Sequence, residues 1–372
     1  MTDADRPLTL PELGFYTLAG HSDSPRDLVD EVQRAEQLGI GAAFISERFN
    51  LKDAGVLSGA AGAVTTRIGI ATAATNHNTR HPLVTATMAT TMHRLTGGRF
   101  TLGLGRGFDP LFDAIGLPRV TSAALEDFAG LMRRLWNGEM VLGHDGPAGT
   151  FAYLHQDASF AEDIPILLVA LGERTLELAG RIADAVVLHT FFSDDATARS
   201  VAAVRRGAEQ AGRDPDALRI WSVLATVTDD IDEDVRLKKL QGRLGSYLQG
   251  YGDLLVRVNG WDPAVLQRFR ADDVVTSVQG GIDARATTEQ LRHIATLLPE
   301  EWTAASATGT PAQCASAVLG QFDLGVTDVI LHGATPDELA PVVAAYRDVR
   351  PASFARRVEA NPGRPLGANV RT

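Results

Sequence analysis

The chain has 372 residues, a formal net charge of −11 and an apolar fraction of 45%. An acidic chain without a run of Lys or Arg does not predict binding to nucleic acid, and the single cysteine, Cys314, excludes an internal disulfide framework and a cysteine-based metal site. No apolar run approaches the ~18 residues of a membrane span, and the first residues lack a signal-peptide pattern. We therefore expect a cytoplasmic, globular protein.

Short apolar runs alternate with longer helical stretches in the first part of the chain. In the first helix, Ser24 is the expected N-cap, Pro25 the first helical residue and Gly39 the stop. The predicted strands occupy residues 12–18, 41–46, 67–75 and 99–105, and the helices that follow them occupy 22–39, 51–65, 82–95 and 121–137.

The alternation resumes after a Gly/Pro-rich excursion at 140–157, which predicts a hairpin or loop on the periphery. Residues 230–300 are mostly helical and longer than one helix of the series requires, so we interpret them as an insertion and a candidate lid. The remaining strands are predicted at 164–170, 184–190, 218–228 and 327–333, with helices at 173–183, 194–211, 310–325 and 336–349.

Eight strands, each followed by a helix, predict a (β/α)8 TIM barrel with a mostly helical insertion between strands seven and eight. A doubly wound open sheet shows the same alternation, but eight units in one series favour closure. We expect a single barrel domain over 1–350 and a loosely ordered, Arg/Pro/Gly-rich tail over 351–372. In such a barrel, function belongs at the carboxyl ends of the strands.

Three glycines, Gly103, Gly105 and Gly107, follow strand four, with Arg106 between the last two. Because Phe108 stands where the dinucleotide fingerprint has its third glycine, the spacing is not that fingerprint. Glycines at a barrel mouth would let a flat ring lie against backbone, with Arg106 near an anionic group. A tight turn without a ligand is the alternative.

A second candidate follows strand five, where Gly172 turns the chain into a helix that begins near Glu173. The first N–H groups of that helix, with Arg174 beside them, would hold a phosphate. An ordinary strand-to-helix turn explains the same residues.

Glu47 and Arg48 end strand two, where they would act as a general acid/base and an anion anchor, or form a solvated pair. The histidines predict no metal site, because the first strand has no H-x-H pair and His189 and His332 each stand alone at a strand end.

Several segments together resemble the luciferase-like family of flavin- and deazaflavin-dependent oxidoreductases over nearly the whole chain. They are ERF after strand two, RHPLVTATMATTMHRLTGGRFTLGLGRG, ILLVALGERTLELAGRIADAVVL and TGTPAQCASAVLGQFDLGVTDVIL. The resemblance implies a barrel that holds FMN or coenzyme F420 at the strand ends, with a non-proline cis peptide near Thr72 and Ala73 behind the ring and with Thr75 and Asn76 at its edge. It assigns the cofactor's side chain and phosphate to one further set of residues: Gly105, Arg106, Gly107, Ala170, Leu171, Gly172, Glu173 and Arg174.

The chain departs from this family pattern in two places. F420-dependent relatives often have Asp-His after strand two, where this chain has Glu47-Arg48, and arginine cannot act as a base at neutral pH. Many also carry a glutamate where this chain has Phe108, followed by Asp109. Sugar-phosphate and simple alcohol substrates are therefore not expected, and Glu47 and Asp109 are the acid/base candidates.

Basic residues on the strand-end loops favour F420, whose tail is acidic, over FMN; they are Arg48, Arg80, Arg106 and Arg174. We expect hydride transfer between the deazaflavin and a small organic substrate. The alternatives are an FMN-dependent monooxygenase, or a cofactor-binding relative without catalysis. Phe49, Phe108, Phe191 and Phe192 indicate an apolar substrate, or they pack the insertion onto the barrel. Family members are commonly dimers, so a homodimer is expected.

Overall fold

Eight parallel strands close into a barrel in the computed structural model, which describes residues 9–19, 24–49 and 51–366. The strands are β1 (Leu10–Tyr16), β2 (Ile40–Ile45), β3 (Gly69–Thr72), β4 (Phe100–Gly105), β5 (Val141–Gly146), β6 (Gly149–Leu154), β7 (Ile166–Val169), β8 (Ala185–Val187), β9 (Arg219–Thr228), β10 (Ser306–Gly309) and β11 (Asp328–His332). Hydrogen bonding runs β11-β1-β2-β3-β4-β7-β8-β9 and returns from β9 to β11, so the ring is closed. The predicted TIM barrel is confirmed.

The helices alternate with these strands and enclose the ring. They are α1 (Asp27–Gln37), α2 (Ala54–Val64), α3 (Pro82–Leu95), α4 (Asp109–Ile115), α5 (Ser122–Trp136), α6 (Glu173–Ile182), α7 (Asp194–Gln210), α8 (Glu233–Leu237), α9 (Arg243–Asn259), α10 (Pro263–Ala271), α11 (Asp273–Ser277), α12 (Ile282–Arg285), α13 (Thr288–Leu297), α14 (Glu301–Ala304), α15 (Pro311–Asp323) and α16 (Pro336–Val349). None of the helices in the described ranges is long and apolar enough to cross a membrane.

The first helix begins later than predicted. Its first residue is Asp27, because the Ser24 hydroxyl accepts a hydrogen bond from the Arg26 N–H and closes a turn before the helix starts. The start predicted at residue 22 lies outside the described residues. Gly39 ends the helix as expected, with a φ of 72° that favours glycine.

Buried side chains from most of the barrel strands form a cluster in the interior of the barrel. Phe44 of β2 packs edge-on against Trp221 of β9, with ring centroids 4.8 Å apart. Gly14 of β1 makes room for this pair, because a Cβ there would lie 2.6 Å from the Phe44 ring. The interior is therefore a packed core, and any ligand must bind above it at the strand ends.

The insertion lies between the seventh and eighth strands of the barrel, which are β9 and β11. It is helical, as predicted, and comprises α8 to α14 with a π-helical turn at Lys238–Gly242. One strand was not predicted: β10 pairs with the carboxyl-terminal half of β9, where the insertion returns to the barrel. The excursion predicted as a hairpin or loop is the antiparallel hairpin β5–β6.

The tail differs from the loosely ordered segment that its composition indicated. Asn361 is 1% exposed, and its amide nitrogen donates to the carbonyl oxygens of Gly98 and Phe100 at 2.7 and 3.0 Å. Arg219, at the start of β9, donates to the Asn361 carbonyl at 2.9 Å. Residues 351–366 thus cross the amino-terminal end of the barrel, because polar groups left there by the strands need partners. Residues 367–372 lie outside the described residues.

Candidate functional site

A cavity of about 210 Å³ lies at the carboxyl ends of the barrel strands. The walls combine apolar side chains with hydroxyl, imidazole and cationic groups, and one side is closed by the insertion helix α9. The lining residues are Tyr16, Thr17, Leu18, Ala19, Ser46, Arg48, Lys52, Ala73, Val169, Leu188, His189, Thr190, Val223, Arg243, Tyr247 and His332. We refer to it as the central cavity.

Ala73 contributes to the floor of the central cavity just beyond β3. The Ala73–Ala74 peptide bond is cis, one residue further along than the position expected from the resemblance. Backbone hydrogen bonds tie this segment to both neighbours: Ala73 donates to the Ile45 carbonyl at 2.8 Å, and Thr75 donates to the Gly103 carbonyl at 3.0 Å. The floor is therefore held by β2 on one side and β4 on the other.

The glycines after strand four have partners within the protein. A Cβ on Gly103 would lie 1.7 Å from the Thr72 carbonyl oxygen, and a Cβ on Gly105 would lie 2.9 Å from the Ala74 side chain. Gly107 has a φ of 68°, which an L side chain rarely adopts. These glycines allow β3 and β4 to approach each other closely, which explains them without a ligand.

The polar residues after strand three also bond to the protein. The Thr72 hydroxyl bonds to the Gly103 carbonyl at 2.8 Å, and the Asn76 amide donates to the Gly105 carbonyl at 2.7 Å. The Thr75 hydroxyl donates to the Glu47 carboxylate. These side chains support the floor rather than line the central cavity.

Glu47 belongs to a charged network beside the cavity. Both of its carboxylate oxygens accept hydrogen bonds from the Arg80 guanidinium, which also pairs with Asp53. The Glu47 side chain is 4% exposed. Arg80, expected near an anionic cofactor tail, is therefore occupied by two carboxylates.

The other residues predicted after strand four lie at the edge of the barrel mouth. Arg106 is exposed and donates through Nε to the Val120 carbonyl at 3.1 Å. Asp109 is the first residue of α4, and it does not line the central cavity. The structure therefore does not bring Glu47 and Asp109 together in that cavity.

The turn after β7, which the sequence analysis assigns to a phosphate, leads directly into α6. Ala170 is buried, Gly172 is the N-cap of α6 without a side-chain capping bond, and the helix begins at Glu173. Leu171 and Gly172 are partly buried, while Glu173 and Arg174 are exposed. Val169, immediately before this turn, lines the central cavity, so the start of α6 borders that cavity.

Two histidines that looked isolated in the sequence are connected across the central cavity through Thr190. His189 Nδ1 lies 2.8 Å from the Thr190 carbonyl oxygen, which can only accept, so Nδ1 carries the proton. The other ring nitrogen, Nε2, therefore accepts a hydrogen bond from the Tyr251 hydroxyl at 2.8 Å. Burial lowers the pKa of His189 to about 4, so the ring is neutral at neutral pH.

His332 is held in one tautomer as well. Its Nε2 faces Nη1 of Arg243 at 3.4 Å, and an arginine can only donate. Nδ1 therefore carries the proton and donates to the Thr190 hydroxyl at 3.0 Å. Burial, followed by the charge of Arg243, lowers the pKa of His332 well below its usual range.

The helix α9 closes the cavity with side chains spaced four residues apart. Arg243, Tyr247 and Tyr251 lie on one face, and Arg243 pairs with Asp283 at 2.9 Å. Tyr247 and Tyr251 pack against the His189 ring at centroid distances of 4.8 and 5.4 Å. The insertion thus covers one side of the mouth, the position expected of a lid.

The four phenylalanines predicted at the mouth separate into two kinds. Phe191 and Phe192 are buried, and Asn259 of α9 donates to the Phe191 carbonyl at 3.2 Å, so this pair packs the insertion onto the barrel. Phe49 and Phe108 are each 39% exposed outside the central cavity. The phenylalanines therefore do not form an apolar substrate wall in that cavity.

The contribution of the insertion residues Arg243 and Tyr247 to the site was not predicted from the sequence, nor was that of Lys52 in the loop between β2 and α2. A signal was available in the stretch RLGSYLQGY, where Arg, Tyr and Tyr recur at intervals of four and so share one helical face. Tyr16, the last residue of β1, was not predicted either.

Known proteins with similar sequences and structures share this barrel, and they identify the family of the chain. A family profile described as luciferase-like monooxygenase matches residues 8–328. The 5,10-methylenetetrahydromethanopterin reductase of Methanolobus tindarius is 28% identical over 322 residues, which cover 83% of this chain and 90% of that protein.

Solved structures with the same barrel include proteins of both cofactor types. The coenzyme F420 dependent tetrahydromethanopterin reductase from Methanopyrus kandleri has a TM-score of 0.74 at 23% identity, covering 90% of this chain and 97% of that one. The oxygenating constituent of 3,6-diketocamphane monooxygenase from Pseudomonas putida, in complex with FMN, has a TM-score of 0.63 at 20% identity, covering 95% and 99%.

Proposed function

The chain belongs to the luciferase-like monooxygenase family, and from this premise we propose that it is a coenzyme F420-dependent oxidoreductase that transfers hydride between the deazaflavin and an organic substrate. The observation that carries the proposal is the central cavity itself, which has a small floor residue, Ala73, and apolar walls at Val169, Leu188 and Val223. Such a site suits a flat, largely apolar ring.

The residues around the ring site also suit an acidic tail. The α6 start presents N–H groups at Glu173 and Arg174, and the positive end of the helix dipole favours a phosphate there. Arg106 is exposed at the same side of the mouth, after the neighbouring strand β4. FMN carries one phosphate, whereas F420 adds a chain of carboxylates, so exposed arginines favour F420.

When bound, F420 supplies a ring carbon that accepts or donates a hydride. The chain must position the substrate over that carbon and keep water away. Tyr247 and Tyr251 of α9 serve the second purpose, since they cover His189 at the cavity wall.

We propose Tyr16 as the proton donor to the substrate atom that becomes basic on reduction. Its side chain lines the central cavity, and among the described residues its hydroxyl has no hydrogen-bond partner. Burial raises the pKa of Tyr16 above its usual range, so the phenol stays protonated until a strongly basic oxygen or nitrogen forms beside it. Glu47 and Asp109, the sequence-based candidates, remain weaker proposals because Glu47 is engaged by Arg80 and neither lines this cavity.

The test is a binding titration of the protein with F420 and, separately, FMN, followed by quenching of cofactor fluorescence. Tight F420 binding and weak FMN binding are expected. Preference for FMN, with rapid reaction of the reduced complex with O₂, would support the monooxygenase alternative. Binding of neither cofactor would overturn the proposal, and cofactor binding without turnover on a broad substrate panel would favour the non-catalytic alternative.

A further inference from the structure

A second, larger cavity of about 880 Å³ opens beside the central cavity. The two cavities adjoin, because they share five wall residues, namely Leu18, Ala19, Arg48, Lys52 and Arg243. The larger part lies between the ends of β1 and β2, the loop after β11 and the insertion helices. We call it the cationic cleft.

Positive charge is concentrated in this cleft although the whole chain carries −11. Among the residues that the structure describes, one carboxylate, Asp283, lines it. The cationic side chains that line it are Arg48, Lys52, Lys238, Lys239, Arg243 and Arg285. Such an excess of one sign in a concave site attracts anions.

The protein neutralises only part of this charge. Arg243 pairs with Asp283 at 2.9 Å, and Lys239 pairs with Glu338 at 2.6 Å. Over the described part of the chain, Lys52, Lys238 and Arg285 form no ion pair with a carboxylate. Burial and the charge of Arg48 lower the pKa of Lys52 to about 8, and an anion in the cleft would reverse that effect.

The cleft lies across the barrel from the start of α6. Around the ring the strands run β11, β1, β2, β3, β4, β7, β8 and β9, so β1 stands opposite β7, which α6 follows. The central cavity therefore lies between the start of α6 on one side and the cationic cleft on the other. A cofactor tail directed to α6 would leave the cationic cleft free for a second ligand.

We infer that the cationic cleft binds the phosphate or carboxylate group of the substrate, while the reacting carbon of that substrate lies in the central cavity. The inference rests on the proposed function, because it assigns the substrate class of that same site. The substrate is accordingly an anionic organic molecule, not the apolar one that the phenylalanines indicated.

The test compares two double variants that remove the same charge from the insertion. Lys238→Gln with Arg285→Gln removes two cleft cations that hold no ion pair. Arg236→Gln with Arg268→Gln, at exposed positions of α8 and α10 outside the cleft, is the matched control. The probe is inorganic pyrophosphate, titrated by calorimetry at low salt into F420-saturated protein. The cleft variant should bind it about tenfold or more weakly, and the control as the wild type does.

Equal pyrophosphate affinity in both double variants would overturn the inference. The anion that the cleft binds could belong to the substrate or to the acidic tail of F420. Titrations of the cleft variant with F420, and with the deazaflavin core that lacks this tail, distinguish the two. Unchanged F420 affinity supports a substrate site, whereas loss of F420 affinity with the core unaffected would assign the cleft to the cofactor tail and overturn the substrate assignment. If F420 binds no form of the protein, the proposed function fails, and the pyrophosphate titration of the unloaded protein still tests the cleft.

Discussion

Both carboxylate oxygens of Glu47 accept hydrogen bonds from the Arg80 guanidinium, at 2.6 and 2.9 Å. The pair joins the end of β2 to the segment before α3, next to the floor of the central cavity. Because the side chains are only 4% and 17% exposed, this pair is desolvated far more than an ordinary surface pair.

We expect Glu47→Gln to act mainly on stability. A double-mutant cycle of Glu47→Gln and Arg80→Met, measured by urea unfolding, should give a coupling energy of about 1–3 kcal/mol. The cycle for Asp113 and Arg119, whose side chains are 47% and 59% exposed, is the control and should give a smaller coupling energy, because solvent screens this pair. A coupling for Glu47 and Arg80 no larger than this control would contradict the structural role.

Gly103→Ala tests the explanation of the glycine motif. The new Cβ would meet the Thr72 carbonyl oxygen at 1.7 Å, so β3 or β4 must move, and we expect a loss of about 3 kcal/mol or more, or failure to fold. Gly130→Ala is the control, since a Cβ on this exposed residue of α5 meets nothing within 4 Å and should stabilise the helix by about 0.5–1 kcal/mol. Thermal unfolding measures both, and a tolerated Gly103→Ala would refute the close-approach explanation.

Asn361→Ala should expose the importance of the tail. The change leaves the Gly98 and Phe100 carbonyls without this donor in a buried site, and we expect a loss of about 2–4 kcal/mol. Val358→Ala, at a position 75% exposed in the same tail, should change the free energy of unfolding by less than about 0.5 kcal/mol. Equal effects of the two substitutions would mean that the tail contacts contribute little.

His189 predicts a loss of stability in acid. Its pKa is about 4 in the folded protein and near 6.5 in the unfolded chain, so the unfolded chain binds more protons between these values. The free energy of unfolding therefore falls as the pH drops from 6.5 to 4, by up to about 3 kcal/mol for this residue. His189→Gln should flatten that decline, as measured by urea unfolding at pH 7, 5.5 and 4. The lowered pKa of His332 acts in the same direction, so part of the decline should persist. Parallel curves for variant and wild type would contradict the assignment.

Tyr16→Phe tests the proposed proton donor. Removal of the hydroxyl should lower kcat by about 10²-fold or more for a substrate whose reduction creates a basic oxygen, with the affinity for F420 unchanged. Tyr247→Phe, also at the cavity wall, provides the comparison, and Glu47→Gln provides the test of the sequence-based candidate. An unchanged kcat in Tyr16→Phe would show that another group donates the proton.

The sequence predicted the barrel because each strand and helix carries its own periodicity and end signals, as in α3, whose predicted and observed bounds agree at Pro82–Leu95. It did not predict what depends on contacts between distant segments. His189 and His332 looked isolated because Thr190 connects them only in the folded barrel. The glycine motif suits a ligand or a tight turn equally in the sequence, because the close approach of Thr72 to Gly103 appears only in the folded protein. The positive cleft likewise draws its lysines and arginines from separate stretches of an acidic chain.

The buried Asn361 has a consequence for how the protein is made. Its partners, Gly98, Phe100 and Arg219, are synthesised more than a hundred residues earlier, and they must wait until Asn361 has left the ribosome. Until then the amino-terminal end of the barrel has open polar groups and an uncovered Trp221 indole, whose nitrogen finally donates to the Pro362 carbonyl at 3.0 Å. Synthesis that stops before Asn361 would therefore yield a barrel that lacks this closure, a product that cellular proteases could distinguish from the finished protein.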